Sequence, residues 1–170
     1  PRSVAVAIDR DTPRVVIEGC LSGVSSLAGV NRELARALLR RGGVDLAIVD
    51  TDGEGIDPAA PGMDVVASAT RRLLPGGPEV VVRQVQPPSF NRPAHGRLVQ
   101  VLHWEFGPLP PEWVRAIAVT DEVWVASSYV REWMIGSGVD HDRVVVVPLG
   151  VDPDRFRPSA TPFDLADAAP

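Results

Sequence analysis

Short runs of β-branched residues recur along the chain, and nearly every one is followed by a stretch whose apolar residues return at helical spacing. That alternation constrains the fold more than any other feature. Arg14 to Glu18 is the first run and enters a glycine-containing loop; Leu27, Val30, Leu34, Ala37 and Leu38 then mark one face of a helix that Gly42 and Gly43 stop. Ser25 or Ser26 can cap its first turn, and Arg40 and Arg41 sit at the negative end of its dipole. Val44 to Asp50 is a second strand, followed by a helical pattern from Met63 to Leu74 that Pro75-Gly76-Gly77-Pro78 ends. Glu79 to Val85 and Leu98 to Leu102 are further strands. Pro110 to Ala118 is a short helix with proline at its tolerated first turn. Glu122 to Ala126 is a fifth strand, a helix capped by Ser127 or Ser128 runs to Gly136, and Val144 to Val147 is a sixth strand. Apolar strands separated by amphipathic helices need cover on both faces, so the expected fold is α/β, a doubly wound parallel sheet.

The composition suits a packed core of that kind. The chain has 170 residues, enough for one domain with tails, and 45% apolar with 23% charged residues are ordinary globular values. All 17 basic residues are Arg and the net charge is -5, a poor match to a nucleic-acid-binding surface. The absence of Lys excludes a Walker P-loop, a Schiff-base lysine and a Lys general base. Cys20 is the only cysteine, which excludes an internal disulfide and a cysteine-rich zinc site and makes a small apolar filler its ordinary role. No apolar stretch approaches the roughly 20 residues of a membrane span, and the start does not resemble a signal peptide. The expected location is the reducing cytoplasm, with peripheral attachment to the inner face of the membrane left open. Residues 1–13 are expected to be an extension, 14–150 the domain and 151–170 a hinge or linker. The missing initiator Met suggests a piece of something larger.

In a doubly wound sheet the ligand crevice lies outside the carboxyl ends of the strands. The loops there are 19–26, 50–55, 86–93, 103–110 and 126–128. Gly19, Gly23 and Gly29 do not fit Gly-x-Gly-x-x-Gly, although amides of Gly23, Val24 and Ser25 at a helix start can receive an anion or simply make the turn. His103 and Glu105 end the fourth strand and would point the same way if the strand continued. Trp104 and Phe106 read either as core or as a sugar-stacking platform. His95 and His141 have no spaced metal-ligand partner and are assigned to the surface, and Arg32, Arg36 and Arg40 to a solvated face. No Gly-x-Ser-x-Gly elbow surrounds Ser22, Ser25 or Ser26, which disfavours a serine hydrolase.

Leu21-Ser-Gly-Val-Ser-Ser-Leu-Ala-Gly-Val-Asn-Arg-Glu-Leu resembles the first loop and helix of the retaining GT-B glycosyltransferases of family four (glycosyl transferases group 1). His103-Trp-Glu-Phe-Gly-Pro-Leu-Pro-Pro-Glu-Trp, Thr120-Asp-Glu-Val-Trp-Val-Ala-Ser-Ser and Val146-Val-Pro-Leu-Gly-Val-Asp are similar to later blocks of the family's amino-terminal half. The resemblance spans roughly Arg14 to Pro158, and the last two blocks are its most specific part. It implies a Rossmann-like, acceptor-side domain, one half of a GT-B fold, in an enzyme that moves a sugar from a nucleotide-sugar donor to an acceptor with retention. It also implies no cofactor and no obligatory metal, the nucleotide-sugar being a substrate. The donor domain would follow the hinge and is absent here, so the fragment alone is expected to be inactive. Dimerisation through the interdomain surface exposed near Pro148 to Phe163 is expected with it. By the same resemblance His103 and Glu105 are the catalytic candidates, and Gly23, Val24 and Ser25 form the donor-phosphate loop. Ser22, Asn91, Trp104 and Ser127 face the acceptor. Two other functions remain open: a non-catalytic Rossmann-like module for a nucleotide or phosphate ligand, and a GT-B nucleotide-sugar epimerase.

Overall fold

The computed structural model describes residues 12–53, 55–60, 63–70, 72–154 and 156–158. Its strands are β1 (Arg14–Gly19), β2 (Asp45–Asp50), β3 (Val80–Gln84), β4 (Arg97–Val101), β5 (Glu122–Val125) and β6 (Val144–Val146). The helices are α1 (Ser26–Arg41), α2 (Asp64–Ala69), α3 (Pro111–Ile117) and α4 (Ser128–Gly136), with a 3-10 turn at His141–Arg143. All six strands are parallel and lie in the order β2-β1-β3-β4-β5-β6. The sheet is flanked by helices, the Rossmann-like α/β fold that the alternation of strands and helices specified.

Strand order fixes where a ligand can sit. The chain steps outward from β1 to β2, then returns to the other side of β1 to lay down β3 and moves outward again, so the connections diverge between β1 and β3. That divergence opens a crevice outside the carboxyl ends of the two strands. Gly19 and Gln84 are register partners there.

Two apolar clusters hold the layers. Ile17, Leu46 and Ile48 pack with Ala35 of α1 and with Val66 and Ala69 of α2. Leu102, Val123 and Val125 pack with Ile117 of α3 and with Val130 and Met134 of α4. The expected capping of α1 is present: the Ser25 side chain accepts from the Ala28 amide, and Gly42 leaves the helix at φ +68°.

Three local expectations are corrected. The helix expected from Met63 to Leu74 closes at Ala69, where Thr70 turns its hydroxyl back to the Ala67 carbonyl. Leu73 beyond it is exposed, so no apolar stripe draws another turn onto the sheet. Phe106, one of two aromatics whose first reading was core, is 72% exposed. β4 ends at Val101, so His103 and Glu105 do not lie on a continuing strand.

Pro148 onward carries no helix or strand among the described residues, and Leu149, Val151 and Phe156 are exposed. The apolar surface expected around them is present as far as Phe156; Phe163 lies outside the described residues, as do most of the 1–13 extension and Ser159 to Pro170. No helix among the described residues is long and apolar enough to cross a membrane.

Candidate functional site

The loop after β1 is held by its own chain. Asp50, the last residue of β2, is carried beside it by the parallel pairing of Gly19 with Asp50. Its Oδ1 accepts from the Leu21 amide at 2.9 Å and from the Ser22 amide at 3.4 Å. Asp52 Oδ2 accepts from the Gly23 amide at 2.9 Å. On the other side Arg32 Nη1 donates to the carbonyls of Leu21 and Gly23 at 2.6 and 2.7 Å. The Arg32, Arg36 and Arg40 row is therefore not a bare solvated face. Arg32 braces the loop, Arg36 pairs with Glu33, and Arg40 reaches Asp152 at 3.4 Å.

Charge is tuned in the same place. The Asp52 carboxyl is held below its ordinary value, first by its hydrogen bond with Cys20, then by the Gly23 amide. The Cys20 thiol is pushed up, chiefly by that same bond to Asp52 and then by burial. A thiol shifted in that direction is a poor nucleophile, but Cys20 is only partly buried and bonds to Asp52 and Thr51, so it is a polar member of the loop and not the apolar filler expected.

Gly19 is required by close approach and not by its backbone angles. A Cβ there would stand 2.5 Å from Asn31 Nδ2 and 2.5 Å from the Gln84 carbonyl oxygen. The missing side chain lets Asn31, itself buried, donate to the Cys20 carbonyl at 2.9 Å and lock α1 to the end of β1.

The ends of β3 and β4 are different. Gln84 is 3% exposed, and its Nε2 has no hydrogen-bond partner. His103, just past β4, also leaves a buried Nε2 unpartnered. Burial lowers the His103 pKa, opposed in part by the Glu105 charge, so the ring is neutral near pH 7. Both side chains line a cleft of about 1400 Å³ bounded by the Ser22 to Val24 loop, the outer face of α1 and the segment from Val147 to Phe156. Val101 and Trp124 give it an apolar floor.

Of the residues singled out from sequence, Ser22, Gly23, Val24 and His103 meet at this cleft. Ser25, Glu105, Asn91, Trp104 and Ser127 do not line it. Ser25 and Ser127 spend their hydroxyls capping α1 and α4, accepting from the amides of Ala28 and Val130. Trp104 Nε1 donates to the carbonyls of Phe106 and Gly107 at 2.8 Å each, and its ring lies 4.8 Å from that of Trp113. It thus clasps its own loop against the α3 and α4 side of the sheet. Asn91 lends its carbonyl to the buried Arg83. Glu105 is exposed.

Sequence reasoning passed over Gln84 and Asp52. Gln84 had a usable signal, a carboxamide closing the run Val80-Val-Val-Arg-Gln at the carboxyl end of a strand. His95 and His141 are exposed, as expected for surface residues, and no group of three or more His, Cys, Asp or Glu among the described residues is arranged to hold a metal. No protein-family model matches the chain, and no curated protein matches it.

Proposed function

We propose that this is the acceptor-side domain of a retaining GT-B glycosyltransferase, completed by a second domain that binds the nucleotide-sugar donor. The observation that carries this proposal is the cleft over the carboxyl ends of β1, β3 and β4, where His103 and the Ser22 to Val24 loop converge. The exposed apolar residues Leu149, Val151 and Phe156 beside it suit a face against which a second domain closes, and in the isolated domain a face through which two copies pair. His103 is the residue assigned to the junction of the acceptor and the reacting sugar, acting by position and electrostatics as positive charge develops on the reacting ring. Glu105, exposed one residue beyond Trp104, reaches the acceptor only if the loop around it closes.

The loop after β1 gives a donor phosphate limited purchase in the conformation described. The Gly23 amide is engaged by Asp52, leaving the amides at Val24 and Ser25 for any anion. The donor is accordingly held mainly by the second domain. Calorimetric titration of the 170-residue chain with UDP, GDP and ADP is expected to show weak or no binding. In a protein that joins this domain to its donor domain, sugar transfer is expected, and His103→Ala lowers turnover by more than about tenfold with the fold intact. Micromolar nucleotide binding by the chain alone would instead support a self-sufficient nucleotide-binding module.

A further inference from the structure

Among the described residues, three side-chain polar atoms of the cleft lining are buried without a hydrogen-bond partner: Ser22 Oγ in the glycine loop and, on the neighbouring strand ends, Gln84 Nε2 and His103 Nε2. We propose that Gln84 and His103 form a subsite for the hydroxyl groups of an uncharged polyol ring, which makes a neutral sugar-like ring the part of the acceptor held at the switch point. This proposal rests on the acceptor-side function for what the ring belongs to.

Four observations carry it. Gln84 is 3% exposed, lines the cleft at the carboxyl end of β3 and carries a buried Nε2 with no hydrogen-bond partner. A buried amide donor without a partner is costly to keep unless something binds it. A second orphan, Nε2 of His103, belongs to a residue that lines the same cleft just past β4, the strand next to β3, so an amide donor and a neutral imidazole are available there. A ring hydroxyl accepts from Gln84 Nε2, while a hydroxyl of the same ring donates to His103 Nε2 in the Nδ1–H tautomer.

The electrostatics select against an anion at this end. Of the arginines that line the cleft, Arg36 and Arg40 are paired with the carboxylates of Glu33 and Asp152, and Arg32 keeps its charge but is turned onto the Leu21 and Gly23 carbonyls. Asp50 and Asp52 place carboxylates at the adjoining loop, where they repel a phosphate and not a sugar. Finally, Val101 and Trp124 form an apolar floor on which the C–H face of a ring can lie while its hydroxyls reach the polar end.

The test is an NMR titration of the 15N-labelled 170-residue chain with methyl α-D-glucopyranoside and, separately, with inorganic phosphate, following the side-chain amide of Gln84. A saturable shift with the glucoside and none with phosphate is the expected result. Gln84→Leu should then bind the glucoside about tenfold more weakly at unchanged Tm. His103→Gln, which keeps a polar group without the imidazole, should also weaken binding. No shift at Gln84, a shift driven by phosphate, or wild-type glucoside affinity in Gln84→Leu each overturns the proposal; should that variant not fold, the wild-type resonances decide alone. The two failures separate cleanly. Glucoside bound at Gln84 without sugar transfer in the two-domain protein removes the transferase function only, and transfer without any shift at Gln84 removes the subsite only.

Discussion

Two neighbouring regions at one switch point handle their polar groups in opposite ways. In the loop after β1, the amides of Leu21, Ser22 and Gly23 are met by Asp50 and Asp52, two of its carbonyls by Arg32, and the Cys20 carbonyl by Asn31. At the ends of β3 and β4, Gln84 Nε2 and His103 Nε2 are buried with nothing to bond. Glycines and a helix start make the first region look like a ligand loop, yet its chemistry is mostly spent on holding itself in shape. The second region has no motif, yet both of its polar side chains in the cleft lining carry an unpartnered atom, whereas in the first region the backbone is largely satisfied and only the side-chain atoms Ser22 Oγ and Asp50 Oδ2 are left over. Backbone amides near a helix start therefore mark a place where an anion could bind only when no side chain already fills that role.

The first region is expected to be rigid because its backbone amides and carbonyls are met by side chains, and substitutions there should cost most. Gly19→Ala puts a methyl group 2.5 Å from the Gln84 carbonyl oxygen and from Asn31 Nδ2. The oxygen is backbone within the sheet and cannot step aside, so a loss of about 3 kcal/mol is expected, read from urea unfolding. Gly29→Ala is the control. Apart from its chain neighbours and the backbone of its own helix, nothing lies within 4 Å of a Cβ at Gly29, and it sits inside α1, so alanine should stabilise by about 0.5–1 kcal/mol. Equal effects at the two positions would mean that the close approach at Gly19 does not hold the loop.

Asp50 comes next in size. Its Oδ1 accepts from the amides of Leu21 and Ser22 and, at 3.3 Å, from that of Asp52. Asp50→Ala strips these charge-assisted bonds at once, and a loss of about 2 kcal/mol in urea unfolding is expected. Gln84→Leu, at a position just as close to the crevice, should leave stability near that of the wild type because its Nε2 bonds nothing in the protein. A large loss at Gln84 would erase the distinction between the two regions.

The sequence carried the architecture because its signal is repeated. Each strand from β1 to β5 begins within about one residue of its expected start, since an apolar β-branched run buried on both faces has few alternative placements. Where the periodic signal was weak, as after Ala69 in α2, the boundary moved, because burial rather than propensity ends that helix. The site was less legible for a different reason. His103 could be found from its place at a strand end, but the role of Asp52 depends on a pairing between residues that are 29 positions apart in sequence. Trp104 and Ser127 show the converse, residues with plausible binding chemistry whose polar atoms are consumed by a loop clasp and a helix cap. Which polar atoms are spent is a property of the folded chain and leaves no local pattern.

Proton uptake separates the two regions with the smallest effect. Burial holds His103 below its ordinary value of 6.5, with Glu105 opposing, so as pH falls the unfolded chain binds this proton before the folded one does. The contribution to stability is full above about pH 6.5 and is lost as pH drops through the lower folded value. Asp52 in the loop after β1 is also held below its ordinary value, which keeps it ionised through that window, and its contribution is lost only at more acid pH. Unfolding free energies of wild type and His103→Gln between pH 7.5 and 5, compared as a difference, should therefore show a downward slope on acidification that belongs to the imidazole. Glucoside affinity should fall over the same range, because Nε2 can accept from a hydroxyl only while it carries no proton. If the two proteins track each other in stability, His103 is not sheltered from water, and the unspent hydrogen-bonding capacity at the ends of β3 and β4 reduces to Gln84 alone.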